Sequence, residues 1–416
     1  PREIMSSNDH PAPGQPPETP PVNGSITPPP ADFQPTPAAD GERPPTPPGW
    51  QTEVAVPARP IAQKPRWPNP NFWWSIPWCF LFLYVTQGPG ILVASIILVV
   101  WILMAPDQFP KEALTNPNPA ALLTSKPISV ALGIAFFIVE LLIISFSLLV
   151  IRLVVGRDWM RQLALRRPSA AHTFLALASL PALWLLGNVS YDILHKVLHV
   201  PSLSDWGVGG MEQATKISLT WPWSFAVLVI GVGAGVGEEL WCRGFLGRGL
   251  VGNYGVVLGV VATSFFFGLI HMDPCQGTMA MFMGLWLHFV YLTTRSLWLP
   301  MLLHFANNSL SILAPRIPHL EFLDAQLGDI PGLVYVSALL LLGAAAYALY
   351  QSRARLAPQT PGQICLWRPA YEGVEYPPPD SGMQVVHPMP SPAALALASG
   401  SLALLAAAFV SWAQRG

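Results

Sequence analysis

Charge is what this sequence has least of. Asp, Glu, Lys and Arg make up 11% of its 416 residues, against about 25% in soluble globular domains. Hydrophobic residues make up 52% and the mean hydropathy is +0.42, so a water-soluble globule is excluded and an integral membrane protein is expected. Cysteine is scarce as well. The four cysteines, Cys79, Cys242, Cys275 and Cys365, stand far apart and form no CxxC or His/Cys cluster. That excludes a zinc ribbon or a disulfide framework and leaves small apolar fillers. A net charge of −1 implies no nucleic-acid partner. No internal repeat is visible, and no h-region with a small-residue cleavage site precedes the first apolar stretch, so no signal peptide is expected.

Proline, by contrast, is abundant and unevenly placed. Residues 1–70 hold 21 of the 46 prolines, in runs such as TPPPADFQPTPAAD. So little apolar side-chain surface cannot offset ordering entropy, and a disordered or polyproline tail is expected there. Its functional alternative is a PxxP ligand for a partner domain.

From residue 72 onward, apolar runs of bilayer-spanning length recur, at 76–104, 128–152, 171–189, 222–249, 254–272, 277–294, 297–313, 331–350 and 392–412. Gly88-Pro89-Gly90 interrupts the first, and the polar, Pro-rich segment 351–391 reads as a linker before an Ala/Leu-rich last helix. The expected fold class is all-α: a polytopic transmembrane bundle of about 8–9 helices behind a disordered Pro-rich tail. The regions are 1–70, the tail; 71–127, a first helix and outer loop; 128–313, the membrane domain carrying the site; and 314–416, additional helices. Basic residues orient the array. The loop GRDWMRQLALRRPS carries four arginines, and placing it in the cytoplasm puts 16 Lys and Arg inside against 6 outside. The N-terminus is then cytoplasmic and the membrane the plasma membrane.

Three ionisable groups fall within six residues of GEELWCRGF, 237–245, after SFAVLVIGVGAGVG, which has no charge at all. Each charge at a helix centre costs roughly 2.5–3.5 kcal/mol on insertion scales, so the cluster requires a reason. Glu239 and Arg243 are i,i+4 neighbours with the acid first, the better order for an ion pair. Glu238 lies about 100° round the helix and stays free as a candidate proton acceptor; a purely structural triad is the alternative. In FFFGLIHMD, His271 ends an apolar helix with Phe267 on the same face, either a hydrogen-bonded helix end or a catalytic group. In LPMLLHFANNSL, His304 and Asn308 are i,i+4, while Asn307 points elsewhere as a packing or capping group. A carboxylate, two imidazoles and an amide donor suffice to hydrolyse a peptide bond.

These motifs, E-E-x-x-x-R, F-x-x-x-H and H-x-x-x-N, occur in that order and at transmembrane spacing. They resemble the motifs of the type II CAAX prenyl endopeptidase family, also called CPBP or Abi intramembrane proteases, over roughly residues 130–313. The resemblance implies a helical core with its site inside the membrane, acting on a membrane protein or peptide, CAAX-processing-like or bacteriocin-related. It implies that Glu238 and His271 activate water, that His304 and Asn308 stabilise the oxyanion, and that Glu239, Arg243 and Phe267 support them. Both metal-dependent and metal-free schemes fit the residue types: Glu238, His271 and His304 can ligate zinc with an open fourth position, while the absence of an H-E-x-x-H helix favours a metal-free site. The absence of G-x-G-D and G-x-S-G from the membrane helices argues against aspartyl and rhomboid-type serine proteases.

Other groups carry weaker signals. Glu140, in IAFFIVELLII, is a lone acid that pairs with a partner or lines the cavity. His288 reads as a helix–helix hydrogen bond. Asp192, His195 and His199 share one predicted helical face in an outer loop, which suits a solvated amphipathic helix better than a metal site. A transporter or proton relay using the same Glu and His groups and a catalytically silent peptide-binding protein are the alternative functions.

Overall fold

A run of apolar residues opened by Asn71, whose side chain accepts from the backbone N–H of Trp74, forms α1 (Phe72–Met104). The computed structural model describes residues 70–105, 107, 125–206, 210–317, 327–363, 365, 367, 369 and 374–414. The tail expected at 1–70, apart from Pro70, its PxxP ligand and Arg368 lie outside the described residues. Helix α1 runs unbroken across Pro77 and Pro89. It leaves Trp73, Tyr84 and Leu103 exposed, as a peripheral helix facing lipid does.

The helices that follow are α2 (Lys126–Val154), α3 (Ala170–Val197) and α4 (Trp223–Leu269), α5 (Pro274–Thr294), α6 (Trp298–Leu313), α7 (Gly332–Gln351) and α8 (Pro392–Ala413). The chain is thus an all-α integral membrane protein. Of these helices, α1, α2, α3, α4, α7 and α8 are long and apolar enough to cross a bilayer. The inner helices α5 and α6 are not among them; α6 has 16 residues, and both carry site groups on faces packed against other helices.

Two features of α4 decide the architecture. Gly255 sits at φ 75°, ψ 175°, a conformation only glycine adopts without strain. There the helix folds back, so closely that a Cβ on Gly259 would lie 2.4 Å from Cα of Val251. The two arms correspond to the separate spans expected at 222–249 and 254–272. The second feature is GVGAGVG, whose glycines alternate between two neighbours. Gly231 and Gly235 face Ser309 and Phe305 of α6, while Gly233 and Gly237 face Glu140 and Ile143 of α2. Two small-xxx-small pairs are thus interleaved on one helix. In a membrane, where no hydrophobic effect drives helices together, such faces permit the close approach that dispersion and hydrogen bonding need.

Polar contacts close both ends. At one, Asp273 caps α5 by accepting from the N–H groups of Cys275 and Gln276, and it also accepts from Ser202 Oγ and Leu203 N. Burial pushes its carboxyl up, but these hydrogen bonds more than offset that and hold it below the usual carboxylate range. At the other end, the segment between α7 and α8 is more than a linker. Strands β1 (Arg355–Pro358) and β2 (Met383–Val386) pair antiparallel, and Val374, Glu375 and Tyr376 are buried. Arg161 donates to Tyr376 O at 2.7 Å, Arg295 to Glu375 O at 2.7 Å and Arg248 to the Glu375 carboxylate at 3.0 Å.

A Cβ on Gly235 would lie 2.9 Å from backbone N and 3.0 Å from Cα of Phe305, atoms that cannot move aside alone. Gly235→Ala should therefore cost about 1–3 kcal/mol, as overpacking does, whereas Gly343→Ala, with nothing within 4 Å, should be neutral. Thermal unfolding of both variants in detergent checks this; an equal response would refute the α4–α6 contact.

Candidate active site

Glu238 stands 17 residues before Gly255 and His271 16 residues after it. Folding back at Gly255 therefore returns His271 to the level of Glu238. Glu238 sits near the middle of its arm, 15 residues from Trp223, or about 22 Å at 1.5 Å per residue, while His271 follows the end of α4 at Leu269. Around Glu238 the helix widens: Val227–Gly233 and Leu240–Leu246 are π-helical, a departure frequent at functional sites.

Glu239 is the hub. Its Oε1 accepts from Arg243 Nη1 at 2.6 Å and from His304 Nδ1 at 2.9 Å. Glu239 and Arg243 are fully buried, and His304 is 2% exposed. Arg243 also donates from Nη2 to Gly284 O of α5 at 2.8 Å and lies 4.8 Å over the ring of Phe267. The carboxylate acceptor places the His304 proton on Nδ1, so Nε2 is the atom turned toward Glu238, at 3.9 Å from its Oε2. That gap is too long for a direct hydrogen bond and of the size that one water bridges.

Glu238 differs from its neighbour. Its side chain is 17% exposed where that of Glu239 is fully buried; the Oε2 atoms of both are buried with no hydrogen-bond partner among the described residues. His271 donates from Nδ1 to Phe267 O at 2.8 Å. Its ring packs edge-on against Phe267, as does that of His304, with centroids 5.2 and 5.8 Å away. Phe267 thus connects Arg243 and the two imidazoles. Asn308 donates to Ile230 O on α4 at 3.1 Å, one turn from His304 along α6. Asn307 donates to the Asn308 side chain at 3.4 Å and its carbonyl accepts from Ser311.

The structure therefore joins Glu239, Arg243, Phe267 and His304 directly, sets Glu238 3.9 Å from His304, links His271 through Phe267, and ties Asn308 to the α4 backbone. Among the described residues, no three His, Cys, Asp or Glu side chains group as a metal site requires, so the zinc set Glu238, His271 and His304 is not assembled in this arrangement. Asp192, His195 and His199 part company: Asp192 pairs with Lys196, His195 with Asp205, and His199 lies past the helix at φ 53°. Sequence reading missed three contributors. The Gly284 carbonyl carries no side-chain signal, and the hydrogen bond from His304 to Glu239 joins residues 65 apart. The interleaved glycines did leave a signal, the four-residue spacing of GVGAGVG.

The fold and site define a polytopic helical membrane protein with a Glu–Arg–His cluster sealed among its inner helices. Residues 220–310 match the family model described as type II CAAX prenyl endopeptidase, Rce1-like. This part of the chain is therefore a domain of the CAAX-type intramembrane protease family. The match contains Glu238, Glu239, Arg243, Phe267, His271, His304 and Asn308, and is shorter than the resemblance read from about residue 130. No curated protein and no solved structure matched the chain.

Removing the Glu239 charge strands both Arg243 and His304. Breaking a buried pair costs about 3–5 kcal/mol, so Glu239→Gln should show low membrane yield and a lowered Tm, while Glu238→Gln, which breaks no direct hydrogen bond, should not. Equal losses in the two variants would mean that the carboxylates do not divide their roles this way.

Proposed function

We propose that this protein is an intramembrane endopeptidase that hydrolyses peptide bonds of membrane-associated proteins or peptides with water activated by Glu238, without a metal. One observation carries this: Glu239 is fully buried and committed through Oε1 to Arg243 and His304, while Glu238 makes neither bond, is 17% exposed and faces His304 Nε2 across 3.9 Å. A carboxylate held in this way is a general base in search of a proton donor, and water is the donor that fits.

In the proposed reaction a water lies between Glu238 and His304 Nε2, with His271 assisting its activation. Glu238 takes a proton as the water oxygen bonds to the carbonyl carbon. The resulting tetrahedral oxyanion is stabilised by Asn308 and by His304, which enters the reaction already protonated at Nε2 as well as Nδ1 and keeps both protons throughout. An imidazolium there gains from the Glu239 carboxylate at Nδ1, the orienting role of a buried acid beside a histidine. As the C–N bond breaks, the proton on Glu238 passes to the leaving nitrogen, and Glu238 returns to its carboxylate form. Arg243 and Phe267 hold Glu239 and the imidazoles in place. The family description favours prenylated carboxyl-terminal tails as substrates, with bacteriocin-related peptides as the alternative class.

We place the end of the bundle that gathers Arg161, Arg248, Arg295 and Arg353 in the cytoplasm, with the N-terminus on that side and the protein in the plasma membrane. Short basic loops remain on the side of synthesis. A reporter fused after Arg161 should then read as cytoplasmic, and one near Ser204 as external; the reverse pattern overturns the orientation.

Glu238→Gln keeps size and polarity but removes the base. In proteoliposomes offered prenylated CAAX peptides, its kcat should fall by about 10²–10⁴-fold, the range for losing general-base catalysis, with Tm unchanged. Full activity in this variant would end the mechanism.

A further inference from the structure

Glu140, a partly buried acid within a membrane helix, is left unused by the reaction above. It lies on α2 directly over Gly233: a Cβ there would meet Glu140 Cβ at 2.7 Å, Cγ at 2.6 Å and Cδ at 3.0 Å. The next contact along the same helix pair sets Ile143 against Gly237, so α2 and α4 run parallel in register and Glu140 sits about one turn from Glu238. The two carboxyl groups are within electrostatic reach of each other. Glu140 Oε2, like Glu238 Oε2, is buried with no hydrogen-bond partner among the described residues. Helix α1, on the other flank of α2, carries no Asp, Glu, Lys, Arg or His. Glu238 thus lies 3.9 Å from His304 Nε2 of α6 and five residues along α4 from the glycine on which Glu140 of α2 packs.

We propose that Glu140 is a positioning residue for the hydrolytic water, the third wall of a water site whose other two are Glu238 and His304 Nε2. Two points carry it. A carboxyl group inside a bilayer without a cation or a hydrogen-bond donor destabilises the protein, so packing does not account for it. Its carboxyl end packs on α4 at Gly233, five residues from Glu238, the group that needs its water held from a second side. One water that accepts from the His304 Nε2–H of the imidazolium and donates to Glu238 and to Glu140 has the usual hydrogen-bond complement of a buried water. The acid also enters from a helix outside residues 220–310, so a part of the chain beyond the matched domain completes the site. This inference rests on the protease reading.

The test compares the full-length protein with Glu140→Met, Glu140→Gln and Glu238→Gln in proteoliposomes, reading kcat, KM and Tm. Glu140→Met keeps the shape over Gly233 and removes the polar end. Its kcat should fall by about 10²-fold, the scale of a misplaced reactant, with KM within about twofold and Tm equal to or above wild type, because an unpartnered buried carboxyl is gone. Glu140→Gln, which still hydrogen-bonds water, should recover most of that kcat. A wild-type kcat in Glu140→Met overturns the proposal, as does a lost kcat that tracks a lowered Tm. A Glu140→Gln variant as inactive as Glu238→Gln also overturns it, because the charge and not the hydrogen bond would then be required. Wild-type protein that cleaves nothing removes the protease reading and this inference with it, whereas cleavage abolished by Glu238→Gln and untouched by Glu140→Met removes this inference alone.

Discussion

A single oxygen, Oε1 of Glu239, holds together the parts of this molecule that carry chemistry. It accepts from Arg243 one turn along α4 and from His304 across the interface with α6. A carboxylate and a guanidinium without water at mid-bilayer are costly unless their geometry is close and their remaining valences are used. The structure meets the first and part of the second: Arg243 turns its second nitrogen to Gly284 O and its flat face to Phe267, while Arg243 Nε and Glu239 Oε2 have no hydrogen-bond partner among the described residues. One buried charge pair thereby ties α4 to α6 and to α5, and it determines which nitrogen of His304 faces Glu238. The tautomer follows from a neighbour, as it does wherever a carboxylate orients an imidazole.

Such short bonds between helices require that the backbones approach, and the chain accomplishes this with glycine. Gly231 and Gly235 let α6 in on one side, and Gly233 and Gly237 let α2 in on the other. The fold-back at Gly255 adds the distal arm, bringing Phe267 and His271 to the height of the glutamates. Stability and chemistry are thus coupled at the level of backbone spacing. The glycines that allow dense packing in lipid also set the distance from Glu239 to His304, and they seat Glu140 beside the helix that carries Glu238.

The two ends of the bundle are built on different terms. At the arginine-rich end, Arg161, Arg248 and Arg295 hold the buried Glu375–Tyr376 segment, and Arg166 lies 4.5 Å over the Tyr376 ring. Burial pushes the Tyr376 hydroxyl up against the opposing effect of Arg166 and Arg295, and burial likewise lowers Arg295. These arginines are consumed by the fold itself, and their clustering supplies the charge asymmetry from which we propose the orientation.

Much was legible from the sequence alone, and for a definite reason: a bilayer permits few structures. With no water to satisfy the backbone, apolar runs of this length become helices, so the segments around 72–104, 126–154 and 392–413 followed from composition. The Glu239–Arg243 pair was legible because four residues is a helix turn, and charges in such a run require partners. What the sequence did not determine was any relation between residues on different helices. That His304 bonds Glu239, that Gly284 O receives Arg243, and that Phe267 stands among an arginine and two histidines depend on how α4, α5 and α6 pack. Residues at opposite ends of a 65-residue separation share no local periodicity. The pairing of Glu239 with Arg243 followed from helical spacing, but that the same carboxylate also receives His304 was a tertiary decision, made by the packing of α4 against α6.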